Sequence, residues 1–408
     1  MSDTRCNNKK IQFCNTNGRA FIHFLICLEG AIMEKVLILS LMVFLLINFA
    51  NNGCAKTSKQ NSPISEPIKF KTFQYIDKEG IGIEAFRMLI PLDWKFDGRI
   101  YWLLDNPAMP AVSAFKVTNT KGSEELEVFP NQMYFWSTNP LTLSLKPVGS
   151  RYFGAEVRQP VGPLEFLQTI LIPKARNNVS NLRIVEKELV PELARQLSKM
   201  QQTPGITTTA DAGKMRVEYQ LNGKLYEEVF FAVIESMTYP IQSIYGVTAN
   251  TNWMGDYLFS FKAEKGKLDA SAKTFQAMVT SFQLNPQWFN KYNQLVEFLI
   301  RNQIQQIQTI GQISRIISQT SNEISDMMME TYQNRQSAYD RISENFSQAI
   351  RGVDSYYNPI EQRNIELPSG YKNAWTNSLG EYILSDDPTY NPNIGSNLNW
   401  QKMELKQQ

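Results

Sequence analysis

Hydrophobic and polar positions divide the chain into segments of distinct character. Between residues 68 and 284, short runs rich in β-branched and aromatic residues are separated by turn residues, a pattern typical of strands. Several runs alternate polar and apolar side chains, which indicates a sheet with one covered face. The predicted strands are Lys69–Tyr75, Gly82–Ile90, Arg99–Leu104, Ala111–Val117, Glu125–Phe129, Lys214–Leu221, Tyr226–Ile234 and Asp256–Lys262.

Apolar residues at spacings of three and four predict helices within the same region. The predicted helices are Pro163–Leu171, Pro191–Met200 and Ser271–Phe282. Strands and helices together predict an α+β domain over residues 68–284, in which a mainly antiparallel sheet is covered by helices.

A single apolar stripe with helical spacing runs from Tyr292 to Val353 without a proline. It predicts one long amphipathic helix or a helical hairpin within residues 285–357. Charged residues are scarce between 301 and 325, unlike the flanks of a solvated coiled coil. The stripe therefore has two interpretations, packing within this protein or binding of a protein partner or a second copy. The candidate partner-binding residues are Ile307, Ile310, Ile313, Ile317 and Met328.

Residues 358–408 form a tail rich in aromatic, glycine and proline residues. Two predicted strands, Tyr371–Thr376 and Glu381–Leu384, are separated by four turn residues and indicate a small C-terminal β-hairpin. This hairpin carries Trp375 and Tyr382, which we add to the candidate partner-binding residues.

The N-terminal segment has the organisation of a bacterial lipoprotein signal. The uncharged apolar run Val36–Ala50 follows Met33 and precedes small or polar residues and Cys54. The run is shorter than the roughly 20 residues that span a bilayer, so cleavage is favoured over a permanent anchor. We predict a non-native leader at 1–32, a signal peptide at 33–53, acylation of Cys54 and a flexible tether over 54–67.

One residue of this signal departs from the usual pattern. Asn51 occupies the position, three before the cysteine, that normally holds an aliphatic residue. This departure bears on acylation and not on export. The marginal length of the apolar run leaves an uncleaved anchor behind a cytoplasmic leader as the alternative. On the favoured interpretation, the protein is exported and held at a membrane of the cell envelope by an N-terminal lipid.

Cysteine and histidine usage excludes several kinds of chemistry. All of these residues lie at or before the predicted acylation site, at Cys6, Cys14, His23, Cys27 and Cys54. The mature chain would therefore form no disulfide and no Cys/His zinc site, and it would have no cysteine nucleophile or histidine base. We expect no metal and no cofactor.

Charge gives no sign of a polyanionic partner. The chain has 41 basic and 39 acidic residues, and we find no basic stripe. Nucleic-acid binding is therefore not expected.

Without Cys and His, the remaining possibilities are carboxylate chemistry, Ser–Lys pairs and oxygen-ligand metal sites. Glu124, Glu125 and Glu127 precede an aromatic cluster, and two carboxylates at a suitable separation can hydrolyse a glycosidic bond. The aromatic cluster comprises Phe129, Tyr134, Phe135 and Trp136. A strand with a solvated acidic face is the favoured interpretation.

Asp386 and Asp387 lack the spaced oxygen ligands of a calcium loop, so a capped turn is favoured there.

Two local features resemble a known family. The phrase Ile90-Pro91-Leu92-Asp93-Trp94 is similar to the "IP-x-x-W" entry of the PsbP-like and DcrB-like proteins. The succession of a strand at Tyr226–Ser236, a strand at Asp256–Lys262 and a helix ending at Phe282 also resembles that family. The resemblance covers residues 70–285 and implies an α/β/α sandwich. Members are mostly non-enzymatic envelope or accessory proteins, although a fold by itself assigns no function.

Two functions follow from these observations. The favoured one is a lipid-anchored, non-catalytic binding or scaffold protein of the bacterial cell envelope. The alternative is a carboxylate-dependent envelope hydrolase that acts on glycan or peptidoglycan.

Overall fold

The computed structural model describes residues 67–191, 205–243, 246–301, 312, 316, 353–368 and 370–406. The described part of the protein is mostly β, with 52% of its residues in strands and 17% in helices, and it contains two curled sheets. The predicted α+β class, a sheet covered by helices, is therefore wrong. So is the α/β/α sandwich that the family resemblance implied.

Eighteen strands are found among the described residues. In chain order they are β1 Ile68–Ile76, β2 Glu84–Pro91, β3 Trp94–Trp102, β4 Ala111–Asn119, β5 Glu125–Val128, β6 Gln132–Ser137, β7 Arg151–Tyr152, β8 Ala155–Val157, β9 Ser180–Leu189, β10 Thr207–Leu221, β11 Lys224–Ser243, β12 Gly246–Glu264, β13 Gln283–Leu284, β14 Val353–Asn358, β15 Arg363–Pro368, β16 Asn373–Thr376, β17 Glu381–Ser385 and β18 Gln401–Leu405.

Four helical segments and a 3₁₀ turn, Asp269–Ser271, complete the described fold. Helix α1 is Pro140–Leu145, α3 is Ala272–Thr280 and α4 is Pro286–Arg301. Helix α2 is continuous but irregular, with α-helical turns at Pro163–Phe166 and Ile172–Ala175 on either side of a π-helical turn, Leu167–Leu171. Pro173 explains the irregularity, because proline has no N–H to donate and its ring clashes with the preceding turn.

The first sheet has eight strands in the order β13-β2-β1-β17-β16-β18-β14-β15. Strand β1 pairs antiparallel with both β2 and β17, so strands from the two ends of the described chain meet at its centre. The predicted C-terminal hairpin corresponds to β16 and β17, which pair antiparallel. They do not form a separate small segment, because they lie inside this sheet. Strand β14 also belongs to it, although the sequence assigned its residues to a helical region.

The second sheet has ten strands. Its main order is β3-β4-β5-β12-β11-β10-β9, and β6, β7 and β8 extend it beside β12. Strands β11 and β12 form its longest hairpin, with paired residues from Tyr226 opposite Glu264 to Ser243 opposite Gly246.

Both faces of this second sheet are covered, contrary to the prediction of one covered face. The reason is visible in β11, where Val229–Ile234 is apolar at every position. A run of this kind is typical of a strand buried on both sides. Successive side chains alternate between two cores, with Val229, Phe231 and Val233 in one and Phe230, Ala232 and Ile234 in the other.

The larger core lies between the two sheets, and we call it the inter-sheet core. It joins Phe86 of β2 to Phe115 of β4 and Phe231 of β11, and it also includes Phe275 of α3 and Leu295 of α4. Its aromatic rings are closely stacked, with ring centroids 5.5 Å apart for Phe86 and Phe115. Offset stacking of this kind adds about 0.5–1.5 kcal/mol per pair beyond area burial.

The smaller core, which we call the outer core, lies on the opposite face of the ten-stranded sheet under α2. Phe166 of α2 packs over Trp253, with ring centroids 6.4 Å apart. Gly255 makes this approach possible, because a Cβ there would lie 2.5 Å from the Phe166 ring. The absence of a side chain at one position of β12 therefore allows α2 to pack on the sheet.

Several predicted features lie outside the described residues. These are the leader, the signal peptide, Cys54, most of the tether, most of the predicted helix 191–200, and Ile307, Ile310, Ile313, Ile317 and Met328. Their assignments stay predictions.

Candidate functional site

A cavity of about 260 Å³ lies in the inter-sheet core. Strands of the ten-stranded sheet form one side, and β2, α3 and α4 form the other. Lining residues that retain some exposure, such as Ser113, Asn131 and Met133, indicate where the cavity approaches solvent. The apolar lining residues are Met88, Ile100, Ala108, Met109, Ala111, Val112, Phe115, Leu126, Val128, Met133, Met254, Leu258, Phe259, Met278, Val279, Phe282, Leu284, Trp288 and Phe289.

A β-bulge shapes one wall of this cavity. Phe231 pairs with Phe259, but Val233 pairs with Asp256, so β12 holds one extra residue there. Tyr257, within the bulge, has a left-handed backbone with φ of 49°. This conformation is uncommon for a bulky residue, and bulges redirect the side chains around them. As a result, four consecutive residues, 256–259, line the cavity, whereas a regular strand would present only alternate ones.

Helix α4 closes the cavity and is fixed by a buried carboxylate. The Trp288 indole donates to Asp77 Oδ2 at 2.8 Å, and the Trp102 indole donates to Asp77 Oδ1 at 3.2 Å. The backbone N–H groups of Gly80 and Ile81 also donate to this carboxylate, at 3.1 and 3.0 Å. Asp77 is 1% exposed, so four neutral donors replace its hydration. Trp288, which lines the cavity, is thereby held to the loop that follows β1.

Tyr292, one turn after Trp288, completes the α4 wall. Burial raises the pKa of its hydroxyl, a hydrogen bond with the Ala111 backbone lowers it, and the nearby Asp256 raises it further. The net effect is a raised pKa, so the hydroxyl is neutral at physiological pH. Tyr292 stacks on Trp288 with ring centroids 5.4 Å apart, which presents a flat aromatic surface to the cavity.

Charge is nearly absent from the lining. Among the described residues that line the cavity, Asp256 is the only Asp, Glu, Lys, Arg or His. Its Oδ1 accepts the N–H of Tyr257 at 2.7 Å, and the residue is 7% exposed. The site therefore combines a large apolar surface with one acidic group and a few neutral polar groups. Such a composition is typical of small-molecule binding sites.

Of the three carboxylates singled out for hydrolase chemistry, Glu125 and Glu127 are held in ion pairs, and Glu124 accepts a hydrogen bond from the Asn119 amide at 2.7 Å. Lys262 Nζ lies 2.8 Å from Glu125 Oε1, and Arg176 lies 2.7 Å from Glu127 Oε2. Lys116 lies between the two carboxylates, 3.5 Å from Glu125 and 3.2 Å from Glu127. Burial would raise the pKa of Glu125, but the charge of Lys262 and its hydrogen bond outweigh the effect of burial, and the net pKa is lowered. A general acid needs the opposite shift, so Glu125 is unsuited to that role.

A second part of this network is fully buried in the outer core. Arg176, just after α2, binds both carboxylate oxygens of Glu228, which is 0% exposed. The Tyr219 hydroxyl donates to Glu228 Oε2 at 2.7 Å. The guanidinium also lies over the rings of Phe129 and Phe230, 5.8 and 5.4 Å from their centroids. The network fixes the end of α2 to the sheet.

The two described candidate partner-binding residues lie on neighbouring strands of the eight-stranded sheet. Tyr382 on β17 is 2% exposed, and its hydroxyl donates to Glu361 Oε1 at 3.0 Å. Trp375 on β16 is half-buried, with Lys402 Nζ 5.9 Å from its ring centroid. The structure does not bring either residue to the cavity. Their role in partner binding stays a prediction.

Asp387 forms the capped turn that the sequence favoured over a calcium site. Its Oδ1 accepts the Thr389 N–H at 2.8 Å and the Thr389 hydroxyl at 2.7 Å. These two hydrogen bonds lower the pKa of its carboxyl. Within the described part of the chain, no group of three potential metal ligands is found. The helices of that part include none with the length and apolarity to cross a membrane.

Sequence reasoning missed the cavity and the two aspartates beside it. Asp77 sits among polar turn residues, so nothing in the sequence indicates that it is buried. Asp256 carried a usable signal, because it is an acidic residue within an otherwise apolar and aromatic strand. An isolated acid in such a run indicates either a hydrogen-bonded core group or a site.

Comparisons with known proteins identify no family. No protein-family model matches the chain, and no curated protein matches it. Among solved structures, LpqN, described as involved in cell envelope biogenesis of Mycobacterium tuberculosis, is similar at 12% sequence identity and a TM-score of 0.18. The match covers 53% of this chain and 92% of LpqN. At this level of similarity we infer neither fold nor function from it.

Proposed function

We propose that this chain is a non-catalytic binding protein of the bacterial cell envelope that takes an apolar small molecule into the inter-sheet cavity. The observation that carries the proposal is the cavity itself, about 260 Å³ in volume and lined almost entirely by apolar side chains. The ion-paired state of Glu125 and Glu127 gives no support to the hydrolase alternative.

The size of the cavity and the character of its walls support a ligand. A volume of about 260 Å³ is far larger than one water molecule needs. Water in it would find few hydrogen-bond partners, because most of the lining side chains are apolar. An apolar ligand would instead make van der Waals contacts with these walls and remove their surface from water.

Calorimetry with 1-decanol tests the proposal. We expect binding with a negative heat-capacity change, the signature of apolar burial. Ala111→Leu places a larger side chain on the cavity wall and is expected to weaken binding by about tenfold or more, with a gain of about 0.5–2 kcal/mol in stability from cavity filling.

Ala114→Leu is the matched control. Ala114 lies on the same strand and is half-buried like Ala111, but it does not line the cavity. Its variant is expected to bind 1-decanol with unchanged affinity. Failure of the unmodified protein to bind, or an equal loss in both variants, would contradict the proposal.

Membrane anchoring through Cys54 is the second part of the proposal. It is supported by the charged start at Met33–Lys35, the apolar run Val36–Ala50 and the position of the cysteine. We expect the protein recovered from bacterial membranes to have the mass of a chain beginning at an acylated Cys54. Cys54→Ala should leave the uncleaved precursor. An unmodified cysteine in the mature protein would contradict the anchor without affecting the cavity.

A further inference from the structure

We infer that one end of the ten-stranded sheet docks on the surface of an anionic lipid bilayer. We call this end the hairpin-end surface. It comprises residues 140–149, which hold α1 and the turn after it, and the described residues of 238–250 at the end of the β11–β12 hairpin. None of these described residues is among those that line the cavity. The inference therefore concerns a second surface and goes beyond the proposed binding of a small molecule.

Two long uncharged segments of the chain meet at this end. Residues 128–145 and 236–255 contain no Asp, Glu, Lys, Arg or His, although 20% of the whole chain is charged. Strands β6 and β12 bring them together, because Ser137 pairs with Asn250 and the Thr138 N–H donates to the Ala249 carbonyl at 2.8 Å. Helix α1 begins at Pro140, so it starts beside the end of the hairpin.

Large apolar side chains are exposed on the hairpin-end surface. Helix α1 has no buried residue, and its Leu141 and Leu145 are 47% and 69% exposed. Val148 in the following turn is 66% exposed, and Val247 on β12 is 70% exposed. Single exposed apolar residues are ordinary, but a group of them gathered at one end of a sheet is typical of a site that contacts a protein or a membrane.

The opposite end of the same hairpin is densely charged. Lys224 Nζ lies 2.7 Å from Glu264 Oε1, and Lys262 Nζ lies 2.8 Å from Glu125 Oε1. Contact with lipid at that end would take these charges out of water at a high cost. The hairpin is therefore polarised along its length, and only its uncharged end suits contact with lipid.

Basic residues beside the apolar group favour an anionic bilayer as the occupant. Residues 128–160 contain three basic residues, Lys146, Arg151 and Arg158, and one acidic residue, Glu156. Arg158 is paired with Glu156, whereas Lys146 and Arg151 are exposed just after α1. Each Lys or Arg near an anionic surface strengthens binding by about fivefold. Apolar side chains beside such cations match the boundary between acyl chains and anionic headgroups.

A fluorescent label at the hairpin-end surface tests the inference. In the full-length protein with its four native cysteines replaced by serine, Val247→Cys carries an NBD group. Vesicles contain phosphatidylglycerol and a phospholipid with a nitroxide on its acyl chain. We expect the emission to shift to the blue and to fall by about twofold or more, because an interfacial apolar group enters the acyl boundary.

Ile394→Cys with the same label is the matched control. Ile394 is 81% exposed in the loop between β17 and β18, which belong to the other sheet. Its emission is expected to stay unchanged. Both labelled forms keep the same N-terminal apolar run, so any membrane affinity of that segment acts equally on both, and only local contact separates them.

Exposed leucines provide a second test. Leu141→Asp together with Leu145→Asp should reduce quenching at position 247 to the level at position 394, because charged side chains resist transfer from water. Leu189→Asp together with Leu225→Asp, at leucines 56% and 53% exposed elsewhere on the same sheet, adds the same charge and should leave the quenching unchanged. Replacing phosphatidylglycerol by phosphatidylcholine should weaken the docking equilibrium by about fivefold or more.

Four results would overturn the inference. They are equal quenching at positions 247 and 394, no quenching at either, quenching that survives both α1 substitutions, and equal quenching in phosphatidylcholine. A blue shift without vesicles that grows with protein concentration would show a second copy on this surface and would also overturn it. The comparison of the two label positions stands even if the aspartate variants do not fold. Binding of 1-decanol reports on the cavity alone, so failure here leaves the proposed function in place.

Discussion

The two faces of the ten-stranded sheet handle buried charge in opposite ways. In the outer core, Glu228 is bound by Arg176 and by the Tyr219 hydroxyl, so a cation balances the carboxylate. In the inter-sheet core, no Lys or Arg of the described chain pairs with Asp77, which accepts hydrogen bonds from two indoles and two backbone N–H groups. One face is closed by an ion pair and the other by neutral donors.

The contrast shows two ways in which one sheet closes a buried carboxylate. The Arg176–Glu228 ion pair has strict geometry and occupies the space between α2 and the sheet. On the other face, the Trp102 and Trp288 indoles both donate to Asp77, and Trp288 also lines the cavity. The inter-sheet core therefore satisfies its buried carboxylate in part with a residue that also forms the cavity wall.

Removing the cation of the outer core should produce the largest effect. Arg176→Met leaves Glu228 as an uncompensated buried charge, which typically costs about 3–5 kcal/mol. Denaturant unfolding should show this loss, and adding Glu228→Leu should recover a substantial part of it. Lys121→Met, which removes an exposed ion pair with Asp93, should have a much smaller effect, because solvent screens that pair. Equal losses in the Arg176 and Lys121 variants would show that the outer-core pair is not effectively buried.

An intermediate effect is expected at Asp77. Asp77→Asn keeps one acceptor oxygen but directs an amide towards the N–H donors, and leaving buried donors unpaired costs about 1–3 kcal/mol. Near-UV circular dichroism should report altered packing of Trp102 and Trp288, and 1-decanol affinity should fall because α4 borders the cavity. Asp97→Asn, at an exposed position of β3, is the control. Full retention of stability and of the tryptophan signal would contradict the role assigned to Asp77.

The smallest effect concerns the pH dependence of Glu125. Its pKa is lowered in the folded protein, so it stabilises the fold above the unfolded value of about 4.3 and loses this contribution as pH falls. Glu125→Gln should flatten the acid limb of the stability curve below about pH 5 by at most about 1.4 kcal/mol per pH unit, the limit for one proton. Glu79→Gln, at an exposed carboxylate, is the control. A steeper acid limb in Glu125→Gln would reverse the sign and contradict the assignment.

Local patterns predicted individual elements of this fold better than their arrangement. The predicted strand Lys69–Tyr75 lies within β1, and the predicted helix Ser271–Phe282 contains α3. The arrangement depended on strands with weak signals. Strand β9 is mostly exposed and carries charges, and β18 buries only Met403, so neither shows clear alternation. Without these strands, the helices appeared to be the main cover of a single sheet.

The candidate site could not be predicted from the sequence for a related reason. Two features of strand pairing determine the cavity. One is the bulge at Tyr257, and the other is the pairing of β2 with β1, which places β2 opposite the second sheet. A bulge adds only one residue to one strand. The residue with the left-handed backbone is Tyr257 and not a glycine, so the sequence does not mark the bulge. The carboxylates at 124–127 were conspicuous as a motif, yet their partners Arg176 and Lys262 are distant in sequence and only the fold brings them close.

The pairing of β1 with β17 has a consequence for the time course of folding. Thr72 and Gly380 are hydrogen-bonded across 308 residues of sequence. At about 5–20 residues per second, a ribosome needs roughly 15–60 s to synthesise that interval. Throughout that delay β1 has one edge without its native neighbour, and such an edge invites pairing with other chains. A factor that shields the nascent strand would therefore act early in synthesis, long before the sheet can close.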